Sequence, residues 1–494
     1  MSDQSNHPEP DVSAERPVSD HWVWVGSHRP AVPRVLVERM TSDWAETPLD
    51  PARHPSIERF AERRARLAEL VPGRTLVIPS GGLKVRANDT DYRFRPGTDL
   101  FYLSGCTEPD AVLVIGRDGA ARLYVPERRD ARSHAFFTDA RYGELWVGAR
   151  RGTREAAHYY GVATAPLEDL AKDLATLSGT PVATRRGLDA TLEALLEPGE
   201  DDAVLAAVLS EMRLVKDADE IAHLREAIAA TVRGFDDVVR ALPSARGLSE
   251  RVIEGVFALR ARLEGNDVGY NTIAASGAHA TILHWTENDG VLRPGELLLL
   301  DAGVEGRGLY TADVTRTLPI SGTFSPAQRR VYDIVFAAQE AGIAAARVGA
   351  DFLEPHRAAT AVLADGLHEL GILDEEPAEA LRRDRQTHRR WTLHGVSHML
   401  GLDVHDCASA REEHYHGPLG PGYVLTVEPG LYFQPNDLSV PEEYRGIGVR
   451  IEDDILVSAE GPINLSAALP RASADVEAWM AERLAHPRDL GLGG

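Results

Sequence analysis

Leu297-Leu298-Leu299-Leu300-Asp301-Ala302-Gly303 is an apolar run that ends in a carboxylate, and Thr311-Ala312-Asp313-Val314-Thr315 answers it across a Gly-rich turn. The pattern reads as a hairpin. With Gly306-Arg307-Gly308 as a three-residue loop, Glu305 pairs with Leu309 and Asp301 falls directly opposite Asp313, their Cβ atoms roughly 5 Å apart. Two carboxylates at that distance repel each other unless a cation or a shared proton lies between them. A metal ion is the economical answer, and the rest of the chain can be searched for its other ligands.

Three histidines, His394, His398 and His405, fall within twelve positions, out of 18 in the whole chain. The i, i+4 spacing of the first two resembles a zinc-protease pair, but Gly395 and the missing Glu depart from that motif. The strand Tyr423-Val424-Leu425-Thr426-Val427 delivers Glu428 just before Pro429-Gly430, and a carboxylate there must be paired or bound to metal. In Gly446–Asp454, strand alternation puts Arg450 and Glu452 on one face and Val449, Ile451 and Ile455 on the other. The bland reading of Arg450 is a pairing with a neighbouring acid on a polar face. Together the pieces supply two Asp, one His and two Glu, enough for two divalent ions about 3.5–4 Å apart. Oxygen-rich ligation favours manganese, with cobalt or zinc as alternatives. A water between the ions is acidified toward neutral pH and becomes a hydroxide nucleophile, so hydrolysis of an amide or ester is the expected reaction.

These residues need a scaffold, and 494 residues with 43% hydrophobic and 26% charged side chains imply two domains. A net charge of −23 argues against nucleic acid or an anionic membrane as the main partner. Two cysteines, Cys106 and Cys407, make no disulfide framework. No signal peptide or spanning segment is apparent, so a cytoplasmic protein is expected. Residues 1–52 read as a partly disordered extension on which Trp22, Trp24 and Trp44 dock locally. Residues 53–208 read as an α/β domain, with a helix from Ser56 to Leu70 and strands at Thr75–Ile78 and Ala111–Ile115. Residues 209–485 read as α+β, with helices opening at Asp217, Ser249 and Pro326 and strands from Gly422 to Ser458. Gly303–Gly308 is a hairpin turn with no helix after it, not a phosphate loop. Cys407 is read as a space-filling residue, because a nucleophilic thiol is redundant beside an activated water.

Asp301-Ala302-Gly303, Asp313–Thr317, His394–His405, Thr426–Gly430 and Val449–Asp454 together resemble the pita-bread metallopeptidases. Arg86–Arg95, Phe101–Gly105 and Asp139–Trp146 are similar to the creatinase-like N-terminal domain of aminopeptidase P. The resemblance runs from about Ser56 to Pro470. It implies an α+β fold, a C-terminal pita-bread domain preceded by an α/β creatinase-like domain. It also implies an Xaa-Pro aminopeptidase, cleaving peptides with proline at the second position, in a homo-oligomer (dimer or tetramer). By resemblance Asp301 chelates one metal, Asp313 and Glu452 bridge the pair, and His398 and Glu428 hold the second. Glu428 also shuttles the proton, His405 meets the scissile carbonyl, and His284 is the substrate-side histidine. His394, Tyr432 and Arg450 line the site, with Arg450 steadying Glu452. The family spacing between the two aspartates is eleven and here it is twelve, so the extra residue is expected in the Glu305–Leu309 turn. A prolidase acting on dipeptides is the near alternative, and a non-catalytic peptide-binding module the remoter one. Creatinase lacks the complete five-ligand set, and methionine aminopeptidase normally lacks the large first domain.

Overall fold

The computed structural model describes residues 22–23, 32–45, 50, 52–88 and 90–491. Most of the expected N-terminal extension, including Trp24, lies outside the described residues. Within its described part, Arg34–Met40 is helical, and Trp44 donates from Nε1 to the Met40 carbonyl at 2.7 Å. The chain divides into two compact units after Leu205.

The first unit is built on a five-stranded mixed sheet. Helix α1 (Ile57–Leu70) precedes β1 (Thr75–Pro79), followed by α2 (Thr98–Ser104), β2 (Val112–Ile115) and β3 (Ala121–Val125). Strands β4 (Ala163–Pro166) and β5 (Val182–Thr184) complete the order β4-β3-β2-β1-β5. β1 is buried along its whole length, as a central strand must be. On α1, Phe60, Arg64 and Leu67 are buried. Arg63 and Arg64 donate to the carbonyls of Tyr102 and Leu103 at 3.1 and 2.8 Å, satisfying orphan acceptors at the end of α2.

In the second unit, α3 (Ala218–Ala245) starts with a capping box. Asp217 accepts from the Asp219 and Glu220 amides, and Glu220 accepts from the Asp217 amide. Next come α4 (Arg251–Glu264), β6 (Asp267–Val268), β7 (Ile273–Ser276), β8 (Leu297–Ala302), β9 (Val304–Glu305) and β10 (Val314–Pro319). α5 (Pro326–Ala345) opens with a Ser325/Gln328 capping box and a proline at its start, and it packs against α6 (Glu354–Glu369). β11 (Val424–Val427), β12 (Gly430–Tyr432), β13 (Gly448–Arg450), β14 (Asp453–Ser458), β15 (Gly461–Asn464) and α7 (Ser473–Leu484) finish the chain. The sheets are β7-β8-β10, β11-β14-β15, β12-β13 and β6-β9.

The aspartate hairpin forms, but in another register. Asp301 pairs with Thr315 and Ala302 with Val314, and the same register continues to Glu305 opposite Thr311. The Gly306 amide donates to the Tyr310 carbonyl at 2.8 Å and the Leu309 amide to the Gly306 carbonyl at 2.9 Å, so the loop is the three residues Arg307–Leu309, one position later than expected. Leu309 takes a left-handed φ of 62°. The Tyr310 hydroxyl donates to Glu220 Oε1 at 2.8 Å while its ring stacks on His223. Packing on α3 anchors Tyr310 at the end of the ladder. Because the register is continuous, no bulge interrupts it between Asp301 and Asp313.

The expected alternation across Gly446–Asp454 survives a change of sheet, since Arg450 and Glu452 line one cavity while Val449, Ile451 and Ile455 join the hydrophobic core. Arg450 ends β13 and Asp453 begins β14, and these pair with different strands, β12 and β11. Ile451 and Glu452 cross between two sheets, and all residues from Val449 to Ile455 are buried. Arg450 therefore faces a buried polar cavity and not a solvent-exposed strand face.

Candidate metal centre

Each ligand candidate is held by a different piece of this scaffold. Asp301 lies in β8 and Asp313 just before β10. A register shift of two leaves both on one face, because side-chain direction repeats every second residue. The Tyr270 hydroxyl joins them, lying 2.6 Å from Asp301 Oδ1 and 2.5 Å from Asp313 Oδ1. The carboxylates are thus diagonal neighbours tied through a phenol, not directly opposite.

His398 sits beside β11, where its amide donates to Thr426 Oγ1 at 3.1 Å and the Thr426 amide donates to its carbonyl. Its Nε2 lies 3.3 Å from Asp313 Oδ2 and 3.5 Å from Glu428 Oε1. Glu452 accepts from the Thr315 hydroxyl at 2.6 Å, and its amide donates to the Thr315 carbonyl. Asp313, His398 and Glu452 present ligand atoms within 4.8 Å of one another. Asp301 and Glu428 line the same cavity of about 560 Å³, as do His284, His394, His405 and Arg450. His284 and His405 are exposed on it. Tyr432 reaches the site through hydrogen bonds, 2.8 Å to His394 Nε2 and 3.1 Å from Arg450 Nη1.

Arg450 is placed otherwise than expected. Its Nη2 donates to Asp301 Oδ2 at 2.5 Å, and its Nε donates to Thr315 Oγ1. It reaches Glu452 only through that threonine. A second arginine, Arg316, is fully buried behind the site. It donates to Asp453 Oδ1 at 2.8 Å and to the Glu452 carbonyl at 2.6 Å, fixing the crossing segment.

The electrostatics point to cations. Four carboxylates meet Arg450 and His398 in a buried space. Burial, then repulsion from Asp313, Glu428 and Asp301, holds Glu452 well above the usual carboxylate range. Burial likewise pushes Glu428 up to about 7, against the pull of His398 and Arg450. Burial disfavours a charged His398, but the Asp313 hydrogen bond and the Glu428 charge outweigh it and push it up to about 9. Burial and Arg450 push His394 down to about 4. Oxygen-rich donors around one imidazole suit divalent ions, whose charge reverses this drive toward protonation. The donor set fits such a group.

Three contributors escaped the sequence reading. Tyr270 lies in Gly269–Thr272, which carries no periodic signal. Thr315 was findable, since strand alternation puts it on the face of Asp313. Glu250 is fully buried and anchors the segment bearing His284. It accepts from the Ser276 amide and hydroxyl at 2.6 Å, and from Trp285 Nε1 and the Gly290 amide at 2.8 Å. Burial raises its pKa, but these donors prevail and hold it below the usual range. Cys407 is buried and its thiol is pushed up to about 12 by burial, so it is no thiolate at neutral pH.

Residues 222–459 match metallopeptidase family M24, and residues 60–182 match the aminopeptidase P N-terminal domain. Xaa-Pro aminopeptidase 1 of Streptomyces coelicolor is 54% identical over 460 residues, covering 92% of this chain and 93% of that protein. The Xaa-Pro aminopeptidase of Escherichia coli is 36% identical, covering 86% and 98%. Among solved structures, proline aminopeptidase P II from Yersinia pestis aligns with a TM-score of 0.77 at 34% identity, over 86% of this chain and 99% of that one. Aminopeptidase P from E. coli with the inhibitor Pro-Leu aligns with a TM-score of 0.77 at 33% identity, over 87% and 99%.

Proposed function

This chain belongs to metallopeptidase family M24, and from that premise we propose that it is an Xaa-Pro aminopeptidase, hydrolysing the bond between an N-terminal residue and a following proline. The observation that carries the reading is the cluster of buried carboxylates around His398, opening on a cavity rimmed by His284 and His405. The names of the relatives favour this activity over a prolidase or a binding module. Residues 53–208 would be the N-terminal domain and residues 209–485 the catalytic one.

In the proposed assignment Asp301, Asp313, His398, Glu428 and Glu452 hold two divalent ions. Bound there, the ions supply an acidified water and charge stabilisation for the reaction. Glu428 takes the proton of the attacking water and passes it to the leaving proline nitrogen. That nitrogen belongs to a tertiary amide with no N–H, so it must receive a proton to leave. His405 donates to the carbonyl oxygen as negative charge develops on it, and His284 positions the substrate from the cavity rim. Arg450 and Tyr432 hold Asp301 and His394 in place.

Manganese as the native metal, a homo-oligomeric assembly and a cytoplasmic site of action complete the proposal. The donor set supports the first. Among the described residues no helix is long and apolar enough to cross a membrane. Metal-stripped, manganese-restored protein should cleave a tripeptide with proline second and leave a dipeptide with proline last largely intact. Preferential cleavage of the dipeptide would make it a prolidase, and no metal uptake would favour the binding module. Sedimentation of a monomer at micromolar concentration would remove the oligomer.

A further inference from the structure

A second cavity, of about 620 Å³, lies beside α6, the turn Thr387–Arg390 and the segment His394–Ser397. His394, Gly395 and Ser397 line both this cavity and that of the metal centre, so the two adjoin. Its charge is opposite to that of the chain. No Asp or Glu lines it, whereas Arg357, Arg383, Arg389, His356 and His388 do, in a protein of net charge −23.

Arg357 is already paired, with Asp351 and Glu354. Arg383 and Arg389 have no carboxylate partner among the described residues; Arg389 donates to Gln386 Oε1 and to the Leu393 carbonyl. Two buried polar atoms on the wall, His356 Nδ1 and Ser397 Oγ, have no hydrogen-bond partner among the described residues. Burial, then the charges of Arg389, His388 and Arg357, hold His356 below its ordinary pKa. Unneutralised cations together with unmet polar atoms lower their free energy by taking up an anion.

We propose that this cavity is an anion-accepting subsite that holds a carboxylate of the bound peptide while the bond before proline lies at the metal centre. The inference rests on the peptidase reading above. The carboxylate has two sources, the peptide's own C-terminus or an acidic side chain, and the chemistry of capture is the same for both. Neither source requires a new element of structure, because the cavities adjoin along His394–Ser397.

The test uses two substrate pairs on manganese-restored protein. Ala-Pro-Ala with a free C-terminus is compared with its C-terminal amide, and Glu-Pro-Ala amide with Gln-Pro-Ala amide. One charge-assisted contact predicts a KM about ten-fold lower for the charged member of a pair. The preference should collapse in the double variant Arg383→Gln/Arg389→Gln, whose altered side chains are exposed. Any loss of folded protein scales both members of a pair equally, so the ratio is its own control. A preference in the first pair assigns the C-terminus, and one in the second assigns a side chain. Equal KM values within both pairs, or a preference that survives in the double variant, overturn the subsite. Calorimetric titration of the same peptides into metal-stripped protein reads affinity without turnover. Failure to cut any peptide would then count against the reaction alone, while equal affinities, or none, would count against the subsite.

Discussion

Gly303 occupies the tightest point of the aspartate hairpin, and replacing it with alanine tests the geometry of the whole centre. A Cβ added there would lie 1.7 Å from the Ala312 carbonyl oxygen, 2.7 Å from its carbon and 3.1 Å from Tyr270 Cε1. The first two are backbone atoms and cannot rotate away. Ordinary contact requires the strands to part by roughly 1.5–2 Å, which strains the Ala312 amide bond to the Val304 carbonyl, now 3.1 Å. Overpacking costs about 1–3 kcal/mol, and a buried backbone bond lost with its partners unmet adds about 1–3 kcal/mol. The sum is about 2–6 kcal/mol, worth a fall of roughly 4 °C or more in melting temperature for a large domain. Asp301 lies two residues before the clash and Asp313 one residue beyond Ala312, so metal affinity should fall as well. Gly306→Ala is the control within the same hairpin. Its nearest neighbours are at 3.5 Å, and its effect should stay within about 0.5 kcal/mol. Thermal melts of chelator-treated protein and a manganese isotherm read both effects. Gly303→Ala protein that melts with the wild type and binds metal equally would refute the hairpin geometry.

Arg316→Met leaves Asp453 fully buried, with only Arg471 at 3.5 Å as a cation, and should cost about 3–5 kcal/mol in urea unfolding. A loss below about 1 kcal/mol would show that the pair does not fix the Glu452 segment. Glu250→Ala strands the donors of Ser276, Trp285 and Gly290, costing about 1–3 kcal/mol. It should raise KM by loosening the His284 segment while metal content stays unchanged; depleted metal would contradict that division of labour. Glu211 tests pH linkage. The Arg411 hydrogen bond, against burial and with help from His414, lowers its pKa from 4.5 to about 2. A depressed carboxylate contributes its full stability above its unfolded pKa and loses it as pH falls through the folded one. Glu211→Gln should therefore melt below the wild type at pH 6, the gap closing between about pH 4.5 and 2; a gap that persists at the lower limit would exclude the ion pair as its source.

Strand periodicity made the candidate ligands legible, and parity explains why the misjudged register did little harm. A two-residue slip moves Asp301 from Asp313 to Thr315 but keeps every side chain on its face, whereas a one-residue slip would have turned Asp301 away. What set the true register, the docking of Tyr310 on Glu220 and His223, is a long-range contact that local turn chemistry does not encode. α6 passed unnoticed because Leu353, at its start, offers no capping side chain. Its buried Pro355, Ala359, Leu363 and Leu367 repeat every four residues, but two of the four are small or helix-breaking. Arg450 looked like a residue of one strand because alternation assumes a single sheet, and the chain changes sheets at Ile451. Tyr270 and Glu250 act through tertiary placement alone.

Glu220 has one carboxylate and two duties. One oxygen closes the capping box of α3 and the other receives Tyr310 at the tip of the hairpin, 90 residues further along the chain. The start of the helix and the tip of the hairpin therefore share a lock, and neither can fray without taking a hydrogen bond from a buried carboxylate. In hydrogen exchange the two segments should behave as one opening unit despite their separation in sequence. The sheet that bears Asp301 is thereby tied to a helix that supplies none of the proposed metal ligands.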